Sequence, residues 1–458
     1  MSKRKIVIAA ILLSALFIGA GVVGFGDDDT VTVGAIYIGP IGDYGWSFVA
    51  HRDLTYLVEK HDWLEYLYAE AVPFPEAEGV IRDYGPGGRL AWDELPHVAI
   101  TTVHVRDNLQ AGSVGGAVAH STGIKSYFGV FGFCPVTGQP LTTLMEEAQG
   151  EGFAIGLINS GAITEPGTAL FVAQVEDRFD HAAIVLQIFE QRPDVILGGG
   201  EQWFLPEGVM GRHGPGRRAD GRNLIEELIA LGYTVVFNAE ELAAIPENTT
   251  KLLGLFAAHH IFNADGEEEL AVRNLPLYVE GSPTVAQKTA AALQILSRNE
   301  TGFFLVVEEE GTDNFANRNN AEGTIEAAKR ADDAIRVALD FTRTDQNTLL
   351  LVAADSDAGG LNVMTHVPWQ PMIAGEPLPA RMPGRRAIVE GGPVDGVGGT
   401  GKIPFVTPCG QPFAIIWAGL QDFGGGTITR AYGLHASLVA GTIDNTDIYR
   451  IMRFVLGL

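Results

Sequence analysis

The chain has few cysteines: its 458 residues include only Cys134 and Cys409. A zinc knuckle needs closely spaced pairs of cysteine ligands, so this number and spacing exclude one. An oxidising compartment would permit a disulfide between the two thiols. The sequence leaves open whether Cys134 and Cys409 meet in space.

Positive charge is also scarce, with 31 Lys and Arg against 56 Asp and Glu and a formal net charge of −25. A protein that binds duplex nucleic acid needs clustered basic side chains to neutralise phosphates, and we therefore expect no such partner. A small phosphate pocket is still compatible with this balance, because a few arginines and a metal ion decide the local field. The 57 glycines follow no fixed period, which excludes collagen-like and solenoid folds.

One apolar run is long enough to cross a membrane, and it lies at the N-terminus. A short basic start precedes the run Ile6–Phe25, and three aspartates follow it. This pattern predicts an export signal within residues 1–30. About 20 apolar residues also reach across a bilayer, so an uncleaved membrane tether through residues 6–25 is the alternative. In both cases we expect the rest of the chain to be periplasmic or extracellular, because the positive end favours the cytoplasmic side.

Short apolar runs recur after the leader, and a loop with a helical stretch follows most of them. The runs are Val31–Ile38, Phe153–Asn159, Val195–Leu197, Tyr233–Phe237, Phe303–Val307, Leu349–Ala353 and Phe413–Trp417. Because they are apolar throughout and do not alternate, they are typical of strands buried on both faces. We therefore predict an α/β fold, a three-layer sandwich with a large, mostly parallel central sheet flanked by helices. One domain is expected over residues 31–458.

Acidic residues closely follow several of these runs. Ligands in parallel sheets bind at the carboxyl ends of the strands, which predicts that Asp43, Glu308 and Asp355 share one rim. Asp313 and Asp422 stand in similar glycine-containing stretches. Converging carboxylates repel one another and need a cation for compensation. Oxygen donors favour Mg, Ca or Mn, whereas zinc usually requires His or Cys as well.

The order of these segments resembles the alkaline phosphatase family over nearly the whole chain after the leader. Ser113, within Gly112-Ser113, occupies the place of the phosphorylated serine, and Arg178 resembles the arginine that clamps phosphate. Asp43 resembles the aspartate that bridges two metals. Further matching segments are Leu90–Val98, Pro193–Gly200, Asp220–Leu224 and Asp444–Thr446.

The resemblance implies metal-dependent hydrolysis of small phosphate monoesters through a phosphoserine intermediate, with release of inorganic phosphate. Its implied cofactors are divalent ions, Mg with Zn or Ca as further options. The family's carboxylate ligands carry over to Asp43, Glu308, Asp313 and Asp355. Three positions where the family usually has histidine hold other oxygen donors, and we assign them as ligands: Asn317, Ser356 and Asp422.

Two further departures from the family lie close to the expected site. Gly112 stands where an aspartate usually precedes the nucleophile. The threonine of the magnesium site is displaced, with Gly167-Thr168 nearby. The oxygen-bearing replacements favour a rebuilt metal site over a catalytically inactive relative, since random decay would not conserve the donor type.

Several alternatives remain open from the sequence. Residues 34–46 also resemble the start of some exported nucleoside-binding proteins, and a phosphodiesterase or sulfatase relative is another option, although the modified cysteine of sulfatases is absent at position 113. Whether the chain forms a homodimer is also open.

Some of these residues could also have purely structural roles in place of the assigned ones. Ser113 could be a plain helix N-cap and Ser121 a rival nucleophile. Arg178 could pair with Glu176 or Asp177 at the surface. Two stretches are expected to be helical: Thr168–Glu176, and the run that ends at His259 and His260.

Overall fold

The computed structural model describes residues 31–36, 64–69, 90–364, 394–395, 405–406 and 412–458. Contacts divide the chain into two compact units, Met1–Phe74 and Pro75–Leu458. In the first unit, strand β1 (Val31–Ile36) pairs in parallel with β2 (Leu64–Ala69). None of the helices in the described ranges is both long enough and apolar enough to cross a membrane.

The second unit alternates strands and helices along the chain. Its strands are β3 (His97–Val103), β4 (Ala154–Ala162), β5 (Val195–Gly199), β6 (Thr234–Val236), β7 (Leu252–Leu255), β8 (Phe303–Glu308), β9 (Leu349–Val352), β10 (Asp357–Ala358), β11 (Asn362–Met364), β12 (Val394–Asp395), β13 (Phe405–Val406), β14 (Pro412–Ile416), β15 (Asp422–Phe423), β16 (Gly425–Gly433) and β17 (Gly441–Asp444). Its α-helices are α1 (Gly112–Thr122), α2 (Leu144–Gly150), α3 (Pro166–Ala169), α4 (His181–Gln191), α5 (Leu224–Ala230), α6 (Ala239–Ala243), α7 (Glu267–Arg273), α8 (Val285–Leu296), α9 (Gly311–Ala316), α10 (Ala321–Thr344) and α11 (Asn445–Leu456).

Five parallel strands form the sheet that carries most of the core, in the order β6-β7-β5-β4-β8. Every residue of β4 and of β5 is buried, as expected for apolar strands covered on both faces. The flanking helices begin at side-chain caps: Asp180 caps α4 and Thr284 forms a capping box with Gln287 at the start of α8. The predicted α/β sandwich is confirmed.

A second, mixed sheet has the order β17-β3-β16-β9. Strand β17 runs parallel to β3, whereas β16 runs antiparallel to both β3 and β9. The strands β8 and β9 are therefore edge strands of their sheets among the described residues, and both line a cavity of about 590 Å³. Glu308 and Asp355, at or just after the carboxyl ends of these strands, also line it.

Two helical predictions are wrong. Within the stretch Thr168–Glu176 only the end of the four-residue helix α3 is helical. Residues 169–173 are all buried, so this stretch lacks the polar face of a surface helix. His259 and His260 follow the buried strand β7, not a helix, because a short apolar run does not by itself distinguish strand from helix.

Candidate active site

Ser113 is the second residue of helix α1 and is half-buried. The helix is capped at Ala111 without a side-chain hydrogen bond, so the Ser113 hydroxyl does not serve as the N-cap. Ser121, the rival nucleophile, is fully buried inside the same helix. The structure thus leaves Ser113 as the accessible hydroxyl of the two, near a helix N-terminus that favours anions.

Two glycines let α1 approach the acidic residues. A Cβ atom on Gly116 would lie 2.3 Å from the Asp355 Cβ, and one on Gly112 would lie 3.7 Å from the Asp422 Oδ2. Gly112 also has a φ of +60°, a left-handed conformation that side chains rarely adopt. Gly112 is therefore required by its backbone geometry and by the Phe128 ring, which would lie 3.1 Å from its Cβ, whereas Gly116 lets α1 approach Asp355.

Glu308, the last residue of β8, reaches back under helix α3. Its Oε2 accepts a hydrogen bond of 2.5 Å from the Asn159 amide, which also donates to the Thr168 hydroxyl at 2.9 Å. A Cβ on Gly167 would lie 1.7 Å from the Glu308 Oε1, so no side chain fits there. Gly167 therefore makes room for Glu308, and the Thr168 hydroxyl accepts a hydrogen bond from the amide that orients Glu308.

Asp313, Asn317 and Asp422 form a hydrogen-bonded group at the other side of the cluster. The Asn317 Nδ2 donates to the Asp313 Oδ1 at 3.0 Å and to the Asp422 Oδ1 at 2.7 Å. The Asn317 Oδ1 accepts from the Gly359 amide at 3.1 Å. In this arrangement Asn317 binds the two carboxylates as a donor, and its amide would have to turn over before its oxygen could face a cation.

The cluster formed by Glu308, Asp313, Asp355 and Asp422 (the acid cluster) is electrostatically crowded. Loss of solvation, with repulsion from Asp355, raises the pKa of Glu308 to about 8. Loss of solvation and the Asp422 charge raise the pKa of Asp355 to about 6. The same two causes raise the pKa of Asp313 well above its ordinary value. Such an arrangement of oxygen donors fits a divalent cation, which would offset the mutual repulsion.

Of the two remaining predicted ligands, the structure describes Ser356 but not Asp43. Ser356 lies beside Asp355, with its Oγ 3.4 Å from the Asp355 Oδ1, so it borders the acid cluster. Asp43 lies outside the described residues, as does Cys409; Cys134 is half-buried. The structure therefore brings together Glu308, Asp313, Asn317, Asp355, Ser356 and Asp422.

Arg178 does not use either neighbouring acid named by the sequence alternative. Its guanidinium lies 3.6 Å from the Glu165 Oε2 and 5.2 Å from the Phe179 ring centre. Its side chain is about one-third exposed, at 34%. Because the contact with Glu165 is long and the group is accessible, the guanidinium is available to an anion from solvent.

Glu165 is a site residue that sequence reasoning missed. It is buried at the start of α3, and its charge contributes to the raised pKa values of Glu308 and of Glu310, a further buried acid. Burial also raises the pKa of Glu165 itself. The preceding strand β4 ends three residues earlier, so the signal was present: an acid after an apolar run, followed by a proline.

Glu165 also meets two histidines, His259 and His260, whose ligand atoms together with its own lie within 4.8 Å of one another. Burial lowers the pKa of His260 to about 3, so the ring is neutral at neutral pH. The His260 Nδ1 accepts a hydrogen bond from the Ala162 amide at 3.2 Å. The ring proton is therefore on Nε2, which lies 3.7 Å from the Glu165 Oε1. A histidine that binds a metal through one nitrogen usually donates a hydrogen bond from the other, but here the other nitrogen, Nδ1, accepts one. At 3.7 Å the His260 Nε2 and the Glu165 Oε1 are too far apart for a hydrogen bond.

A buried lysine is hydrogen-bonded to Asn159, the residue that orients Glu308. Lys288 on α8 is fully buried, and its Nζ donates to the Asn159 carbonyl at 2.5 Å. Burial lowers the pKa of Lys288 to about 7, while the nearby Glu309 charge opposes that shift. Asn159 is thus held by its backbone while its side chain orients Glu308. No sequence pattern marked Lys288, because one lysine in an apolar helix usually reaches solvent.

The fold and the acid cluster define an α/β protein with crowded carboxylates at one rim, and comparison with known proteins identifies its family. The sequence profile of alkaline phosphatase matches residues 78–375, well over half of the chain. Alkaline phosphatase from Escherichia fergusonii is 28% identical over 419 residues, covering 82% of this chain and 81% of that protein. Streptomycin-6-phosphate phosphatase from Streptomyces griseus is 28% identical over 414 residues, covering 82% and 85%.

Solved structures share the fold. Thermus thermophilus alkaline phosphatase superposes with a TM-score of 0.65 at 24% identity, covering 83% of this chain and 88% of that one. A magnesium-bound mutant of alkaline phosphatase TAB5 gives a TM-score of 0.60 at 20% identity, covering 82% and 92%. The chain belongs to the alkaline phosphatase family and is a phosphoric monoester hydrolase of that type.

Proposed function

We propose that this enzyme hydrolyses small phosphate monoesters with the help of a divalent cation held by the acid cluster, and that Ser113 is the nucleophile. One observation carries the proposal: carboxylates from three segments of the chain crowd together, and two of them, Asp355 and Asp422, lie against α1, the helix that carries Ser113. Crowding of this kind is stable only with a compensating cation or with bound protons.

A bound divalent ion would neutralise the ester's negative charge and favour ionisation of the serine hydroxyl. The Ser113 Oγ attacks phosphorus and the ester oxygen leaves, giving a phosphoseryl group. Water then attacks that group and releases inorganic phosphate and the free serine. The N-terminus of α1 stabilises the negative charge at this position, and Arg178 holds two non-bridging oxygens through its planar fork.

Magnesium is the first ion we propose, with calcium and zinc as alternatives. The donors in the acid cluster are all oxygens, which suits hard cations. The magnesium in the TAB5 mutant supports this choice. Asp43, outside the described residues, remains a predicted additional ligand.

The setting of the enzyme is part of the same proposal. We expect export, with the leader in residues 1–30 cleaved or kept as a tether, because the basic and apolar start has the pattern of a signal. Small soluble phosphate esters are the expected substrates, and the name of the Streptomyces griseus relative supports this class. The family match removes support for a solute-binding role.

The test is hydrolysis of p-nitrophenyl phosphate after metal stripping, with Mg, Ca, Mn, Co and Zn added back singly. We expect stripping to abolish phosphate release and a hard cation to restore it. If no ion restores activity to the well-folded protein, the chain is an inactive relative and the proposal is wrong.

A further inference from the structure

A second group of side chains lies along the same rim, on the side away from β9. Neighbouring strands β8, β4, β5 and β7 stand in this order in the sheet, and the residues at or after their carboxyl ends follow the same order. The acid cluster follows β8, Glu165 follows β4, Trp203 follows β5 and His259 follows β7. The rim therefore continues from the acid cluster through Glu165 to Trp203 and His259.

This part of the rim is built of rings. The His181 ring stacks on Trp203, with centroids 4.9 Å apart and an interplanar angle of 28°, and meets His259 edge to face at 5.3 Å. Phe179 is 70% exposed, and its ring lies under the Arg178 guanidinium. We call Phe179, His181, Trp203, His259 and Arg217 the aromatic patch. Such surfaces stack well against a planar ring.

The patch carries positive charge from Arg217, and the negative charges of Asp177 and Asp180 act on its His181. Arg217 is exposed and its guanidinium lies 5.8 Å from the Trp203 ring centre. Its charge also lowers the pKa of His259. Within the described ranges no carboxylate pairs with the Arg217 side chain. Burial is the main cause that lowers the pKa of His259 to about 4, so the positive charge at neutral pH comes from arginine.

Arg178 joins the two parts of the rim. It contacts Glu165 on the acid side, and its guanidinium covers the Phe179 ring on the other. A phosphoryl group bound by Arg178 would therefore lie next to Phe179, on the part of the rim that carries Trp203 and Arg217. Arg217 offers an exposed guanidinium there, which suits an anionic group.

We infer that the aromatic patch is a leaving-group subsite for phosphate monoesters whose alcohol carries an aromatic ring and a second negative charge. The inference rests on the proposed function, since it assigns the substrate class of the same site. The ring of the alcohol packs on the exposed Phe179, and its anionic group pairs with Arg217, which the Trp203 ring supports.

Three esters with similarly basic alkoxide leaving groups test this subsite: n-propyl phosphate, benzyl phosphate and 4-carboxybenzyl phosphate. Their kcat/KM values are measured for the metal-loaded full chain and for Arg217→Gln, Phe179→Ala and Arg450→Gln. Arg450 is an exposed arginine on α11, paired with Asp447, and serves as the matched control. Thermal melting confirms that each variant is folded.

We expect the wild-type enzyme to prefer 4-carboxybenzyl phosphate to benzyl phosphate, and benzyl phosphate to n-propyl phosphate. Arg217→Gln should lower kcat/KM roughly tenfold for the carboxylated ester alone, as loss of one charged contact implies. Phe179→Ala removes a contact of Arg178 and should therefore lower kcat/KM for all three esters, but roughly fivefold more for the two aromatic esters than for n-propyl phosphate.

Equal rates for the three esters, or variants that affect all three alike, would overturn the subsite while leaving the proposed function intact. If metal-loaded wild-type protein hydrolyses none of the three, the proposed function and the subsite both fail.

Discussion

Two ends of one rim differ in their chemistry. At the end of β8 and β9 the side chains offer oxygen: Glu308 and Asp355, with Asp422 opposite. At the end of β5 and β7 they offer rings and nitrogen: Trp203 and His259, with Arg217 above. Strands β8, β5 and β7 belong to one parallel sheet, whereas β9 belongs to the second, mixed sheet, so the oxygen-rich end lies where the two sheets meet at the cavity.

The comparison shows that the two ends of the rim suit groups of opposite charge. The oxygen-rich end has raised acid pKa values and suits a cation, whereas the nitrogen-rich end has lowered histidine pKa values and suits a ring and an anion. Arg178 lies where the two ends meet, in contact with Glu165. In this account the phosphoryl group is bound at the junction and each end serves one side of the ester.

The largest expected effect comes from removing the hydroxyl at the junction. Ser113→Ala should lower kcat by at least about 10³-fold, because the variant lacks the hydroxyl that attacks phosphorus in the proposed mechanism. The measurement is steady-state hydrolysis of p-nitrophenyl phosphate, with trapping of phosphoserine at low pH. Ser121→Ala is the matched control and should retain activity, since that hydroxyl is buried. Unchanged activity in Ser113→Ala would contradict the nucleophile assignment.

Arg178→Gln tests the residue that joins the two ends. We expect kcat/KM for p-nitrophenyl phosphate to fall about 10²-fold, because a donor to the charge that develops in the transition state is lost. Arg178→Lys should recover only part of the rate, since an ammonium lacks the bidentate fork. A variant as active as wild type would show that the guanidinium merely pairs with Glu165.

Gly167→Ala probes the oxygen-rich end alone. The new Cβ would collide with the Glu308 Oε1, so Glu308 must move and magnesium affinity should fall about tenfold. Gly150→Ala is the control, because a Cβ there meets nothing within 4 Å. Equal affinities in the two variants, measured by calorimetric titration, would mean that Glu308 does not bind the ion.

The smallest effect concerns stability without metal. Since burial raises the pKa of Glu308 from 4.5 to about 8, its protonated form is favoured in the folded state. Its contribution to stability is therefore present below the unfolded value of 4.5 and is lost as pH rises through about 8. We expect the Tm of the metal-free protein to fall by a few degrees over this range, and added magnesium to remove the fall. A flat Tm profile would argue against crowding at the acid cluster.

The sequence identified the oxygen-rich end well, because Glu308 and Asp355 lie at or just after strands that are apolar throughout. It identified the second sheet poorly. Burial alternates along β3 and β16, so neither strand appears as a continuous apolar run. Asn317 was predicted from its position as an oxygen ligand, yet its oxygen is already bonded to the Gly359 amide. The atom that the Asn317 oxygen bonds to belongs to the loop at Gly359, which is distant in sequence, so the sequence around Asn317 does not predict this bond.

The nitrogen-rich end could not be predicted for a different reason. Trp203 and His259 become neighbours of His181 only because β5 lies between β4 and β7 in the sheet. Strand order is set by long-range packing, and no local spacing in the sequence predicts it. Glu165 was missed although its local signal was present, because a buried acid beside a proline also occurs in ordinary turns.

The central claim is that the acid cluster binds a divalent cation, and calorimetric titration of the metal-stripped protein tests it most directly. Magnesium or another hard cation should bind the wild-type chain and should lose at least about tenfold in affinity in Asp313→Asn and Asp355→Asn, with Asp447→Asn on α11 as an unaffected control. If the wild-type chain binds no such ion, or if the two cluster variants bind it as tightly as wild type, the account is contradicted.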